Sequence, residues 1–186
     1  MNHADPAKPE ESVVLRGARF NVHAMSIVGS DGKTYVREVV RHPGAVVILP
    51  LLDDDTLVMI ENHRPTVGET LLELPAGTRE SDEPAEQTAF RELIEETGYH
   101  AKSVSLVHEF YSAPGISDEL MLLYVARDLT RGEHAREATE QIQNRIATRE
   151  EVRGWIAEGR IRDAKTLVGL YAFLAGTCLT EKQNSN

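Results

Sequence analysis

The sequence has little cysteine, no long apolar run and a deficit of positive charge, and each shortage excludes a class of protein. Cys178 is the only cysteine among 186 residues, so an intramolecular disulfide is excluded and a reducing compartment is expected. No apolar run approaches about 18 residues and no secretory or lipidation signal is found, which predicts a cytoplasmic protein without a membrane partner. The net charge of −10 leaves no basic surface for a phosphate backbone, so nucleic acid is not an expected partner.

Acidic residues are plentiful instead, and residues 77–99 concentrate them in and around one predicted helix. Asp82 and Glu83 lie at its start, where anionic side chains cap free N–H groups and meet the positive end of the helix dipole. Pro84 suits the first helical turn, and Gly98 supplies the left-handed residue that ends a helix. These signals predict a short helix that follows a loop.

Three glutamates of this helix share one face. Winding the segment at about 3.6 residues per turn brings Glu92, Glu95 and Glu96 into one arc, where their charges repel one another. A divalent cation removes that conflict, and ligands that are all oxygen suit Mg²⁺ or Mn²⁺ better than zinc. Zinc is further disfavoured because the seven histidines are scattered, with no two of them four residues apart. The alternative interpretation is a solvated acidic face on an amphipathic helix.

The segment resembles the signature of the Nudix hydrolases, G-x5-E-x7-R-E-U-x-E-E-x-G-U, in which U is bulky and apolar. The last position departs mildly, because Tyr99 stands where an aliphatic residue is commoner. The residues that match are Gly77, Glu83, Arg91, Glu92, Leu93, Glu95, Glu96 and Gly98. The resemblance implies an α/β fold, an α/β/α sandwich with a mixed sheet, and a loop–helix–loop metal site.

The resemblance also implies the cofactor and its ligands. Two or three Mg²⁺ (or Mn²⁺) ions are expected, held by Glu92, Glu95 and Glu96 with the carbonyl of Ala76. Arg91 is expected to orient the carboxylates, so Arg91 and Glu95 count among the catalytic candidates. Bound cations of this kind reverse the local field of an acidic protein, which lets an anionic substrate approach.

A base that activates the attacking water is expected from outside the signature. In relatives it is a glutamate on the loop before a late strand, and Glu140 precedes Ile142 in a way that is similar to the family's E-x-I entry. Glu140 is therefore the predicted catalytic base, with Glu137 as the alternative. Glu83 is expected to stabilise the metal loop.

Features outside the signature resemble the ADP-ribose pyrophosphatase and nucleoside-diphosphate-sugar hydrolase branch. They are Glu-Leu-Pro-Ala-Gly at 73–77, His-Arg-Pro at 63–65, Ser-Ala-Pro-Gly-Ile-Ser-Asp-Glu at 112–119 and Asp-Ala-Lys-Thr at 163–166. The resemblance implies hydrolysis of the pyrophosphate bond of ADP-ribose, or of a related nucleotide sugar, to a nucleoside monophosphate and a sugar phosphate. Catalysis of this kind is mainly positioning and electrostatic stabilisation.

Six substrate-binding candidates follow from the same resemblance, and several have a plainer interpretation. Arg64 either offers a planar fork to a diphosphate or pairs with acids on the surface. Glu73 either accepts from a base or ribose hydroxyl or satisfies backbone donors. Pro114 and Gly115 either let backbone approach a ligand or form an ordinary turn. The full set is Arg37, Arg64, Glu73, Pro114, Gly115 and Glu119.

Two other functions compete with this one. A nucleotide sensor without turnover would keep the fold, although all the signature glutamates are retained here. A Nudix hydrolase of another substrate class would act on a dinucleoside polyphosphate or an oxidised nucleotide, and acidity argues against RNA.

The chain is expected to divide into four parts. They are a disordered leader at 1–12, N-terminal antiparallel strands at 13–42, the Nudix hydrolase domain at 43–178 and a flexible tail at 179–186. By resemblance, the N-terminal strands form an arm exchanged between the subunits of a homodimer. Phe20 or Tyr35 then stacks on adenine across the interface.

The main elements are predicted from apolar periodicity and turn residues. Strands are expected at 13–15, 18–28, 34–40, 44–52, 56–61, 101–111, 119–126 and 141–146, and helices at 149–158 and 164–175. In the last helix a predicted core stripe comprises Leu167, Leu170, Tyr171 and Leu174, and Trp155 is interpreted as a packing residue.

Overall fold

The computed structural model describes residues 9–80, 82–132 and 142–178, which divide into two units. The first unit contains the described residues up to Pro43 together with Tyr111–Leu120. The second unit contains Gly44–Phe110 and the described residues from Met121 onward.

A three-stranded antiparallel sheet forms most of the first unit. Its strands, in order across the sheet, are β1 (Glu10–Arg16), β2 (Asn21–Val28) and β3 (Thr34–Arg41). Gly32 turns the chain between β2 and β3 at a φ of 76°, a left-handed conformation that glycine adopts without strain. The small N-terminal antiparallel unit is therefore present. The segment predicted as a disordered leader at 1–12 needs correction, because β1 already begins at Glu10.

A mixed four-stranded sheet lies at the centre of the second unit. Its order is β7 (Ala76–Thr78), β4 (Ala45–Pro50), β10 (Leu120–Arg127) and β9 (Ser103–Tyr111). β4 pairs with β10 in parallel and with β7 in the antiparallel sense. All six residues of β4 are buried, as its unbroken apolar run predicts.

Two further sheets complete the second unit. β12 (Ile142–Thr148), β5 (Thr56–Arg64) and β6 (Glu69–Glu73) form an antiparallel sheet in that order, and β8 (Tyr99–His100) pairs with β11 (Thr130–Arg131). The strands β6, β7, β8 and β11 were not predicted, because two to five residues carry no measurable periodicity.

Three helices pack on these sheets in the part of the chain that the structure describes: α1 (Ala85–Thr97), α2 (Arg149–Ala157) and α3 (Ala164–Ala175). β4 contacts both α1 and α3, and the apolar core around β4 includes Leu123 and Leu170. The predicted α/β/α sandwich with a mixed sheet is confirmed. None of these helices is long and apolar enough to cross a membrane.

Core packing agrees with the sequence except in the last helix. Trp155 is buried with the main core, as predicted, and two arginine side chains lie over its ring. Cys178 is buried in the same core. Tyr171 was assigned wrongly to the core stripe of α3, because 57% of it is exposed. Phe173 is fully buried and occupies that core instead.

Candidate functional site

The acidic helix begins differently from the prediction. Pro84 is the N-cap of α1, and no side chain caps the helix. The predicted capping role of Asp82 and Glu83 is therefore wrong. Glu83 instead accepts a hydrogen bond from the Thr88 hydroxyl at 2.9 Å. At the other end Gly98 ends the helix at a φ of 72°, as predicted.

One guanidinium holds three carboxylates of this segment together. Arg91 donates from Nε and Nη2 to the two oxygens of Glu83, at 3.1 and 3.0 Å. Its Nη1 donates to Glu92 at 2.8 Å and to Glu95 at 2.9 Å. Such bidentate and charge-assisted bonds fix side-chain geometry more strongly than neutral ones. Arg91 therefore orients the acids, which is the arrangement that its predicted role requires.

The protonation equilibria of this cluster follow from the same contacts. Hydrogen bonding to Glu83, with the charges of Glu92 and Glu95, raises the pKa of the Arg91 guanidinium above its ordinary value. In return, the bonds from Arg91 lower the pKa of the Glu83 carboxyl. Arg91 and Glu83 therefore form an ion pair that is fully charged at neutral pH.

Backbone geometry places the remaining acids against β7. A Cβ built on Gly77 would overlap the Glu92 carboxylate, so the close approach depends on glycine. Glu96 is only 3% exposed, and one of its oxygens accepts a hydrogen bond from the Ala76 backbone N–H at 2.9 Å. Three of the predicted metal ligands, Ala76, Glu92 and Glu96, are thus brought together at one junction of strand and helix.

The junction has the donor chemistry of a hard-cation site. The side chains at this junction offer carboxylate oxygens, which are the metal ligands that hard cations prefer. The positively charged Arg91 Nη1 already lies between Glu92 and Glu95. Within the described ranges, no three His, Cys, Asp or Glu side chains are arranged as a ready metal cage. The residues therefore fit a divalent ion, but the carboxylates must turn from Arg91 toward it.

A second charged cluster lies at the ends of β5 and β6. Glu73 is 1% exposed and accepts from Arg64 Nε at 2.9 Å and from Arg64 Nη2 at 2.7 Å. Lys165, from the first turn of α3, donates to the same carboxylate at 2.8 Å. The bond to Glu73, assisted by the charges of Glu96 and Asp163, raises the pKa of Arg64 despite partial burial.

The start of α3 contacts residues 74–77, the segment that lies against Glu92 and Glu96. Asp163 caps this helix and accepts from the Thr166 backbone at 3.0 Å. The buried Thr166 hydroxyl accepts from the Leu74 backbone N–H at 2.9 Å. The sequence had marked residues 163–166 as typical of the branch without giving Lys165 or Thr166 a role. Their partners are 92 positions away, so no local pattern reveals them.

Three substrate-binding candidates lie in the loop of the first unit. Pro114 and Gly115 are exposed, and a Cβ at Gly115 would meet no atom within 4 Å. The loop is tied to the end of β3, because Asp118 accepts from the Arg41 side chain at 3.0 Å and from the His42 backbone at 2.9 Å. The carboxylate of Glu119 accepts from the Ser112 hydroxyl at 2.5 Å. Among the described residues, no atom lies close enough to Gly115 to require a glycine at this position.

Of the remaining predicted residues, the structure describes the nucleotide-binding candidates but not the two candidate bases. Arg37 is exposed on β3, opposite Met25 of β2. Phe20 is 44% exposed and lines a cavity of about 330 Å³ in the first unit, whereas the Tyr35 hydroxyl donates to Asp31 at 2.9 Å. The predicted base Glu140 and its alternative Glu137 lie outside the described residues. The roles of all these residues stay predictions.

Comparisons with known proteins identify relatives of this chain. A NUDIX domain model matches residues 41–168. The ADP-ribose pyrophosphatase of Bacillus subtilis (strain 168) is 34% identical over 155 residues, covering 82% of this chain and 84% of that protein. The methanol dehydrogenase activator of Bacillus methanolicus is 37% identical over 142 residues, covering 75% and 77%. The crystal structure of an ADP compounds hydrolase has a TM-score of 0.76 at 22% identity, covering 90% and 93%, and shows the likeness of fold.

Replacing Arg91 should change how stability depends on pH. Because the pKa of Glu83 is lowered in the folded state, the Arg91 bonds stabilise the protein above the unfolded value of about 4.3. That contribution disappears as the pH falls through the folded pKa. Arg91→Met should therefore lower Tm by about 4 °C or more at pH 7, and the difference from wild type should shrink toward pH 3. A difference that stays constant between pH 7 and pH 3, measured by circular dichroism, would contradict the assignment.

Gly77→Ala should separate the site from the fold. The overlapping atoms belong to the flexible end of Glu92, so the side chain can swing aside at small cost to stability. Mn²⁺ affinity, measured by calorimetry, should fall about tenfold or more, while Tm changes by only about 2 °C. Gly154→Ala is the matched control, because a Cβ there meets open space in α2 and should leave Mn²⁺ affinity unchanged. Equal Mn²⁺ affinities in the two variants would rule out the role given to Gly77.

Proposed function

The chain belongs to the Nudix hydrolase family, and from this premise we propose that it hydrolyses the pyrophosphate bond of ADP-ribose or a related nucleoside diphosphate sugar. The products are a nucleoside monophosphate and a sugar phosphate. The family match and the ADP-ribose pyrophosphatase relatives make the chain a Nudix pyrophosphohydrolase. The choice of substrate within that class is the proposal.

One observation carries the proposal: the acids of the signature are all present, three of them are gathered around Arg91, and the fourth, Glu96, is held by the Ala76 backbone. Glu92 and Glu95 meet at one nitrogen of this guanidinium, and Glu96 is fixed by the backbone of Ala76. A surface cluster kept only for solubility would not bury Glu96 to 3% exposure. The arrangement is that of a binding site for cationic charge.

Mg²⁺ or Mn²⁺ is the proposed cofactor, held by Glu92, Glu95 and Glu96 with the Ala76 carbonyl. Bound there, two or three such ions would neutralise the diphosphate and lower the pKa of water. The protein brings the carboxylates close together, and Arg91 limits the directions in which the Glu92 and Glu95 side chains can turn. Glu83 anchors the far side of Arg91.

Substrate binding is proposed to use Arg64. Its Nε and Nη2 are committed to Glu73, yet 36% of the side chain is exposed, so the outer edge of the guanidinium can bind a phosphate oxygen. Glu73 then acts by fixing Arg64 rather than by touching a ribose, a role that neither of its two predicted interpretations gave it. The attacking water is proposed to lose its proton to Glu140.

A homodimer is the second part of the proposal. All seven residues of β1 are exposed, so both faces of this strand lie open. Val14 and Leu15 are 61% and 54% exposed there, and Val36 on β3 is 61% exposed. An antiparallel sheet that leaves such apolar side chains exposed is poorly stabilised alone, and a second copy of the chain would cover them. The lone buried cysteine further supports a cytoplasmic location.

Hydrolysis of nucleotide sugars tests the function. ADP-ribose, ADP-glucose and GDP-mannose, each with Mg²⁺, should yield a nucleoside monophosphate, and Glu96→Gln should lower kcat/KM by at least about 10². Glu86→Gln removes an exposed acid of the same helix and should leave the rate unchanged. Hydrolysis of dinucleoside polyphosphates or oxidised nucleotides alone would move the chain to another branch. Nucleotide binding without any turnover would make it a sensor.

The oligomeric state tests the dimer. Light scattering after size exclusion should give about twice the chain mass of 20.7 kDa. Val14→Asp combined with Val36→Asp should produce monomers, because each change puts a charge in the proposed interface. Val67→Asp, at another exposed valine, is the control and should stay dimeric. A wild-type monomer at micromolar concentration would exclude the exchanged arm.

A further inference from the structure

Lys165 is a partly buried cation to which the function proposed above gives no role. It lies in the first turn of α3, and its Nζ is 2.8 Å from Glu73 and 2.9 Å from Asp163. Only 16% of its side chain is exposed. Holding a lysine side chain in this way costs conformational entropy, and the ion pairs with the two carboxylates offset that cost.

The carboxylate between Lys165 and Arg64 is the most deeply buried acid of this cluster. Glu73 is 1% exposed, and an ionised carboxylate can only accept hydrogen bonds. Arg64 fills one side of it with a bidentate pair, and Lys165 fills the remaining side of Oε2. The plane of the carboxylate, and with it the plane of the Arg64 guanidinium, is therefore defined from both sides.

We propose that Lys165 is a positioning residue for diphosphate binding, which acts through Glu73 on the orientation of Arg64. This inference rests on the proposed function, because it takes Arg64 as a ligand of the diphosphate. It assigns to the substrate site a further residue, Lys165, which lies 92 positions after Glu73 in the sequence.

Charge balance gives the physical reason. Arg64 and Lys165 together neutralise Glu73 and Asp163, and the field of Glu96 also reaches Arg64. Removal of the Lys165 charge leaves a net negative charge beside Arg64, which repels a diphosphate. It also leaves Glu73 with Arg64 as its one strong cationic partner in this cluster, so the guanidinium is drawn inward. Both effects weaken substrate binding and leave the metal carboxylates in place.

Binding of α,β-methylene ADP with Mg²⁺, measured by calorimetry on the full chain, tests the proposal. Lys165→Met should raise the Kd about tenfold, and Lys165→Arg, which keeps the charge, should restore it to within about threefold of wild type. Arg162→Met is the matched control. Arg162 stands three residues earlier and pairs with the exposed Glu69, so its loss should leave the Kd unchanged.

Kinetics should separate positioning from chemistry. For Lys165→Met, KM for the hydrolysed nucleotide sugar should rise about tenfold, while kcat stays within about threefold. A fall in kcat with KM unchanged would overturn the proposal, as would a Kd equal to that of Arg162→Met. If wild type binds the methylene analogue but hydrolyses no nucleotide sugar, the proposed function fails while the Kd series still judges Lys165.

A double-mutant cycle keeps the test valid if the single variant folds poorly. Glu73→Gln with Lys165→Met removes a cation and an anion together, so the variant does not leave the buried Glu73 carboxylate without Lys165. If Lys165 acts through Glu73, adding Lys165→Met to the Glu73→Gln variant should change the Kd by less than about twofold. A full tenfold loss in that background would show that Lys165 acts by another route.

Discussion

The structure of the site depends on the bonds between Arg91 and the three carboxylates of Glu83, Glu92 and Glu95. Two unit charges about 4 Å apart repel by roughly 1 kcal/mol in water and about 4 kcal/mol near a protein surface. Gathering several acids on one helix face is therefore unfavourable without a cation between them. Arg91 supplies that cation in the protein itself, and its guanidinium holds the three carboxylates together through hydrogen bonds.

Close contact between helix and strand makes this arrangement possible. Gly77 leaves space for the Glu92 carboxylate, and the Ala76 N–H holds Glu96. The strand segment in turn is held from α3, because the Thr166 hydroxyl accepts from the backbone of Leu74. The carboxylates of Glu92 and Glu96 and the Arg64 cluster are thus linked through residues 73–77, so their geometry is set jointly rather than residue by residue.

Local signals in the sequence predicted much of the fold. The buried strand β4 follows from an unbroken apolar run, and the end of α1 follows from Gly98. Spacing also predicted that Glu92, Glu95 and Glu96 share a face, since that depends on helix geometry alone. The sandwich itself came from resemblance to a family, because pairing between strands far apart in the chain leaves no local trace.

The errors have identifiable physical causes. Glu83 was expected to cap α1, but Arg91 offers it two charge-assisted bonds. Tyr171 was placed with the core residues of α3, but the buried face of that helix carries Thr166, Gly169, Leu170 and Phe173, and Tyr171 lies on the opposite side. The pairing of Lys165 with Glu73 spans 92 positions and could be found only in the folded chain.

Anomalous diffraction from crystals soaked with Mn²⁺ and α,β-methylene ADP is the most direct measurement of the central claim. The claim predicts Mn²⁺ peaks about 2.0–2.5 Å from oxygens of Glu92, Glu95 or Glu96, with the phosphorus atoms of the analogue next to the metal. Peaks elsewhere on the chain, or an analogue bound without metal at these acids, would contradict it.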